Sequence, residues 1–264
     1  MKNRFVSAGV LLVITLSCVL LSPVSRVLFF AVAGILCCYE LSHQLETQQV
    51  YCSAWVMYVY VASQAVLALL HAQPLAYLVS FLCAIYLAML SGVLRRRVSG
   101  NGALDTVAGL GYPAFLFSVL IMISVSNVWL QTLTLGFVSS WLCDTAALFG
   151  GRRFGRHKLA PHISPKKTVE GAVCGALASI PAGLLVSFAP FMRGVPLWVC
   201  ILTALIASSL GQLGDLAESL LKRMLDIKDF SNLIPGHGGL FDRADSLLFS
   251  IPAAYVCLTV AGIR

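Results

Sequence analysis

The chain has 264 residues, of which 59% are hydrophobic and only 11% charged, against roughly 25% charged in an ordinary soluble domain. Its apolar runs continue for about 17–25 residues, the length of a spanning helix, without the every-second-residue alternation of a membrane barrel. Backbone polar groups in hydrocarbon need internal partners, so the expected fold is all-α: a polytopic integral membrane protein of about nine transmembrane helices, with no soluble domain.

The formal charge of +7 raises the question of a nucleic-acid partner. The basic residues sit between the apolar runs, however, as the positive-inside rule describes, and no nucleic acid is expected. The nine cysteines are scattered, with no Cys-x-x-Cys pair and none beside a histidine at zinc spacing. They read as small buried hydrophobes.

In chain order, a short basic head with Lys2 and Arg4 precedes the first apolar run, at 5–21. Its outline is that of a secretory signal, but a second run follows at once and no Ala-x-Ala-like site separates them. It reads as a retained span. Further spans are expected at 25–39, 51–70, 74–94, 103–125, 128–149, 169–191, 196–220 and 246–263. With the N-terminus cytoplasmic, the inner segments collect Lys2, Arg4, Arg95, Arg96, Arg97, Arg152, Arg153, Arg156, Lys158, Lys166, Lys167, Lys222, Arg223, Lys228 and Arg243. The outer ones hold only Arg26, Arg193 and Arg264. That is fifteen against three of the eighteen basic residues, and it places the C-terminus outside. The expected division is 1–125, a scaffold and lipid-facing wall, and 126–264, helices carrying a cytoplasm-facing site. No internal repeat or low-complexity tract is evident.

Three polar constellations interrupt the second half. The first joins Asp144, inside an apolar span, to the Gly-rich basic stretch 150–158 and to Ser164-Pro165-Lys166-Lys167-Thr168-Val169-Glu170. An intramembrane carboxylate costs about 2.5–3.5 kcal/mol on insertion scales and is expected to face a partner or a wet interior. Snorkelling toward the interface is the competing reading. Stretch 150–158 reads as a flexible electropositive loop able to wrap a polyphosphate through its amides. Two lysines just ahead of a helix that opens at Thr168-x-Glu170 make an anion site; capping and headgroup anchoring explain the same residues.

The second constellation places Asp215, Ser219 and Lys222 at i, i+4 and i+7, on one helical face, with Glu218 beside them. This suits a hard cation and the phosphate it bridges; a structural ion pair to Lys222 is the alternative. The third is Pro235-Gly236-His237-Gly238-Gly239, then Asp242, Arg243 and Asp245. The glycines admit close backbone approach to a ligand and positive φ, and His237 is displayed on a turn. Asp242 and Asp245 together with Asp215 have the donor types for one or two Mg²⁺, as phosphoryl and nucleotidyl transfer commonly require.

Residues 219–246 resemble the signature of the phosphatidate cytidylyltransferase (CDP-diacylglycerol synthase) family. The matching positions are Ser219, Lys222, Arg223, Lys228, Asp229, Pro235, His237, Gly238, Gly239, Asp242, Arg243 and Asp245. Asp144, the 150–158 stretch, Ser164–Gly171 and Gly214-Asp215 also match in order and spacing, whereas Ala244 stands where a larger apolar residue is usual. The resemblance covers about the last 120 residues and implies attack of phosphatidic acid on the α-phosphorus of CTP. Under it Asp215, Asp242, Lys222 and Ser219 form the catalytic set. Asp215 and Asp242 are first-choice metal ligands, and Asp245 supports them or binds a second cation. Asp144, Ser164, Lys166, Lys167, Thr168, Glu170, Arg223, Lys228, Asp229, His237, Gly238, Gly239 and Arg243 contact substrates.

The implied cofactor is Mg²⁺ and the implied partners are CTP, phosphatidic acid and membrane lipid, at a bacterial cytoplasmic membrane. A homo-oligomer is compatible with the sequence, which does not fix the subunit count. A CTP-dependent polyprenol kinase and an ion or solute transporter are the alternatives. The transporter predicts midplane charges and internal repeats, which the sequence lacks.

Overall fold

The computed structural model describes residues 2–94, 102–234, 236 and 238–263. Its helices run, in order, α1 Lys2–Leu21, α2 Pro23–Thr47, α3 Ala54–Leu69, α4 Pro74–Val93, α5 Gly102–Gly109, α6 Phe115–Ser124 and α7 Trp129–Phe154. A two-stranded antiparallel hairpin follows, β1 Lys158–Ala160 and β2 Ser164–Thr168, with Lys158 opposite Thr168. Then come α8 Val169–Ser187, α9 Leu197–Met224, α10 Phe241–Ala244 and α11 Leu247–Val260. Each of the nine expected apolar runs is helical. Seven helical stretches are long and apolar enough to cross a bilayer, and α3 is apolar but shorter. The protein is an all-α integral membrane protein.

Three expectations need correction. The run at 25–39 does not stop at Tyr39; α2 continues to Thr47, because polar residues on its last turns find partners in the same unit. The run at 103–125 is not one rod. Tyr112 leaves helical geometry (φ −151°, ψ 113°) ahead of Pro113, whose ring and missing N–H interrupt a helix, and α5 and α6 are the two halves. The stretch 150–158 is not a loop throughout, since α7 carries Gly150–Phe154 as regular helix.

The chain forms two units. The first comprises residues 1–125 and 225–243. Val27, Met57, Val61, Ile121, Phe230 and Phe241 are fully or almost fully buried in it. Two of its buried polar groups find partners within it: Arg26 Nε donates to the Ser124 carbonyl at 2.9 Å, and the Tyr60 hydroxyl to Ser118 Oγ at 2.9 Å. A Cβ on Gly34 would lie 2.9 Å from that of Phe117, so this glycine lets α2 and α6 meet.

The second unit comprises 126–224 and 244–264, and packs α7, α8, α9 and α11 around Leu135, Val199, Cys200, Ala207, Ala254 and Leu258. Small residues line its seams, the usual device where lipid removes the hydrophobic drive for helix association. A Cβ on Gly150 would stand 2.5 Å from Cys174 Cβ, one on Gly175 2.8 Å from the Cys143 carbonyl, and one on Gly214 2.6 Å from the Asp245 carbonyl. The 150–151 glycines thus serve α7–α8 contact rather than a phosphate-wrapping loop.

Candidate active site

In the second unit, α7, β2, α9 and the α10–α11 junction bring acidic and basic side chains together. Asp144 lies on α7, Lys167 on β2, Asp215 on α9, and Asp245 between α10 and α11. Lys167 Nζ stands 2.6 Å from Asp215 Oδ2, with the two side chains 28% and 30% exposed. The charges of Asp144, Asp215 and Asp245 interact with one another, and Lys167 partly offsets them at Asp144. Asp245 Oδ1 also accepts the Ser246 amide at 2.6 Å.

One turn along α9, Glu218 is fully buried and pairs with Lys222 at 2.6 Å. Lys222, expected to hold phosphate, therefore has an internal carboxylate partner, the ion pair that the sequence left open. Ser219 Oγ sits 3.5 Å from Asp215 Oδ1, a long contact for a hydroxyl donor. Arg223 Nε donates to the Ile163 carbonyl at 3.3 Å, tying α9 to the hairpin.

The hairpin is ordered by its own polar groups. Thr168 is the N-cap of α8, its hydroxyl accepting the Gly171 amide at 3.1 Å, as short polar residues do at helix starts. Glu170 accepts the amides of Arg156 at 3.0 Å and His157 at 3.2 Å, and contacts His157 Nδ1 at 2.6 Å. It folds the 155–157 turn. Arg153, Phe154, Gly155, Arg156, His157 and Glu170 line an open cavity; Ser164 is half-buried and Lys166 exposed on β2.

The signature segment 225–243 belongs to the first unit. Ile234 donates to the Gly238 carbonyl at 2.9 Å, forming a narrow turn in which Gly236 and Gly238 take φ of +79° and +81°. There the need for glycine is conformational. Asp242 is 7% exposed, and its Oδ2 accepts the amides of Phe230 at 3.0 Å and Gly239 at 2.9 Å. This structural task was not anticipated for a residue read as a metal ligand. Lys228, Asp229 and Arg243 are exposed. His237 and Pro235 lie outside the described residues, as do Arg95, Arg96 and Arg97.

One residue that the sequence reading passed over is Glu40. It is 2% exposed on α2 and accepts from Ser231, Leu240 and Phe241. The signal was available: an ionisable group in an apolar helix asks for a partner, the argument applied to Asp144.

The second unit offers hard oxygen donors of the kind Mg²⁺ prefers. Four carboxylates, Asp144, Asp215, Glu218 and Asp245, are set against two ammoniums, Lys167 and Lys222, a local excess of negative charge that a cation would neutralise. Among the described residues, no three His, Cys, Asp or Glu side chains form a ready ligand group. Mg²⁺ commonly takes only one or two carboxylates and completes its shell with water and substrate phosphate, so the donor set fits.

A sequence model of the cytidylyltransferase family matches residues 2–261. The chain is 35% identical to the phosphatidate cytidylyltransferase of Brucella suis biovar 1 (strain 1330), an alignment covering 97% of this chain and 92% of the relative. The Brucella melitensis biotype 1 protein of the same name gives the same identity and coverage. The phosphatidate cytidylyltransferase of Staphylococcus saprophyticus is 43% identical over 130 residues, a segment spanning about half of each chain, 49%.

Proposed function

On the premise that the chain belongs to the cytidylyltransferase family, we propose that its Asp215–Lys167 centre serves the transfer of CMP from CTP to phosphatidic acid, giving CDP-diacylglycerol and pyrophosphate. The chain is a membrane-embedded nucleotidyltransferase. An oxygen of the lipid phosphate forms a bond to the α-phosphorus of CTP, and the bond from that phosphorus to the β-phosphate bridging oxygen breaks. Pyrophosphate leaves. The second pKa of a phosphate monoester is about 6, so the attacking group is already largely ionised near neutrality and needs no general base.

The observation that carries the site assignment is the meeting of Asp144, Asp215 and Asp245 within one unit, with Lys167 paired to Asp215 and Lys222 near Asp245. Asp215 and Asp245 would hold Mg²⁺, and Asp242 is assigned to the transfer by the resemblance of the signature segment alone. When bound, the ion would neutralise the polyphosphate and its leaving group. Lys167 tempers the charge of Asp215, and Lys222, Lys166 and Arg223 supply positive charge toward phosphates, with Ser219 orienting one of them. The basic cavity at 153–157 suits a polyphosphate as well, with Glu170 setting the shape of its turn. His237 is assigned to substrate positioning.

This site faces the cytoplasm of a bacterial inner membrane. The distribution of basic residues supports that orientation, and CTP is a soluble cytoplasmic substrate while phosphatidic acid is a lipid. CTP labelled at either the α- or the γ-phosphate, supplied to purified protein with phosphatidic acid in detergent, tests the reaction. Label entering lipid from the α-position alone is the expected result. Transfer from the γ-position would make the protein a kinase instead.

A further inference from the structure

Glu40, Gln44 and Gln48 fall at i, i+4 and i+8 along the end of α2 and its cap, on one face. All three reach the same stretch of chain. Glu40 Oε1 accepts the Ser231 hydroxyl at 2.5 Å and the Leu240 amide at 2.9 Å, and Oε2 accepts the Phe241 amide at 2.8 Å. Gln44 Nε2 donates to the Phe230 carbonyl at 2.6 Å, and Gln48 Nε2 to the Leu225 carbonyl at 3.0 Å.

Gly239 completes the fit. A Cβ there would stand 2.8 Å from both Glu40 carboxylate oxygens. The close approach for which this glycine is needed is therefore made by a side chain of the protein itself. A buried carboxylate is tolerated only when hydrogen-bonded, and three donors from one segment supply those bonds. Charge-assisted bonds of this kind are the stronger class.

The amides before Asp242 are shared between two carboxylates. Gly239 donates to Asp242 itself, while Leu240 and Phe241 donate to Glu40. The two residues immediately ahead of Asp242 are thus held from α2.

We propose that Glu40 is a positioning residue, which fixes the signature segment and thereby sets where Asp242 stands for the transfer reaction. The proposal rests on the functional reading above for its link to catalysis, and on the geometry alone for the hold itself. Glu40 touches no substrate in this account; it acts through the backbone of 240–241.

Glu40→Gln keeps the side chain's size and replaces one acceptor oxygen by an N–H₂ group facing donors. Two readouts are taken on the full-length protein in detergent: amide hydrogen exchange by peptide, and kcat and KM for CTP. Exchange reports local opening segment by segment. The expected result is at least tenfold faster exchange in 229–241, with α7–α9 peptides unchanged. A tenfold or larger fall in kcat, with the unfolding midpoint within a few degrees of wild type, accompanies it.

Unchanged exchange in 229–241 would overturn the proposal. So would a uniform rise across α1–α6, which marks a merely structural role, or wild-type kcat with the segment loosened. Should Glu40→Gln fail to accumulate, Ser231→Ala and Gln44→Leu each remove one contact and are read by the same criteria. Absence of α-label transfer in the wild type would overturn the functional reading, and the exchange result would still decide whether Glu40 holds the segment.

Discussion

The Lys167 ammonium stands 2.6 Å from Asp215 Oδ2 and joins β2 to α9 by an ion pair. Removing it leaves Asp215 facing the charges of Asp144 and Asp245 without its counter-ion. Lys167→Ala is expected to lower kcat/KM for CTP by roughly 10- to 100-fold, equivalent to ~1.4–2.7 kcal/mol. Lys167→Arg, which keeps the charge but not the compact ammonium, recovers part of the loss. Steady-state kinetics in mixed micelles measure both; a Lys167→Ala enzyme with unchanged kcat/KM would remove Lys167 from the site.

Glu170 shapes the basic turn through two amides and the His157 ring. Glu170→Ala frees those groups, and trypsin is expected to cut at Arg152, Arg153 or Arg156 several-fold faster than in the wild type. Cleavage at Arg193, in a different connection, is expected to keep its rate. Equal cleavage of variant and wild type at 152–156 would show that the turn is held by something other than Glu170.

Gly175 allows α8 to approach the α7 backbone, where a Cβ would lie 2.8 Å from the Cys143 carbonyl. A carbonyl within a helix cannot step aside as a side-chain tip does. Gly175→Val is expected to destabilise the second unit by about 1–3 kcal/mol, the usual range for overpacking, and to lower the thermal midpoint. Gly111→Ala is the matched control, because a Cβ there meets nothing within 4 Å.

These cases show what the sequence could and could not disclose. Continuous apolar runs located the long helices, since hydrocarbon leaves the backbone few alternatives. Pro113 marks the break between α5 and α6, but its run is as apolar as the others, and hydropathy alone makes it one rod. Glycine beside arginine serves equally as turn and as helix–helix seam, so the sequence of Gly150 and Gly151 does not separate the two. Spacing along one helix placed Asp215, Ser219 and Lys222 together, yet could not show that Lys222 pairs with Glu218. The expected span stops at Tyr39, one residue short of Glu40, and the donors that hold Glu40 lie 191, 200 and 201 positions away, so a local pattern can signal the need for a partner but not name it.

Gly239 offers a separate test of the hold on the signature segment. Its added Cβ would stand 2.8 Å from both oxygens of Glu40, a side chain pinned by three donors. Gly239→Ala is expected to lose roughly 1–3 kcal/mol. In Glu40→Ala, where the obstructing carboxylate is gone, the same substitution should be much milder. A double-mutant cycle on thermal unfolding measures the coupling, and strict additivity would contradict the contact.

Asp215 is the centre of the proposed site, and its most direct measurement is the rate of CMP transfer to phosphatidic acid as Mg²⁺ is titrated, in wild type and in Asp215→Asn. The prediction is saturable Mg²⁺ dependence in the wild type. Asp215→Asn should lose roughly 100-fold or more in rate, the scale on which a charge-stabilising group acts in transfer chemistry, while keeping its thermal midpoint. A stable Asp215→Asn protein that transfers CMP at the wild-type rate, with the same Mg²⁺ dependence, would contradict it.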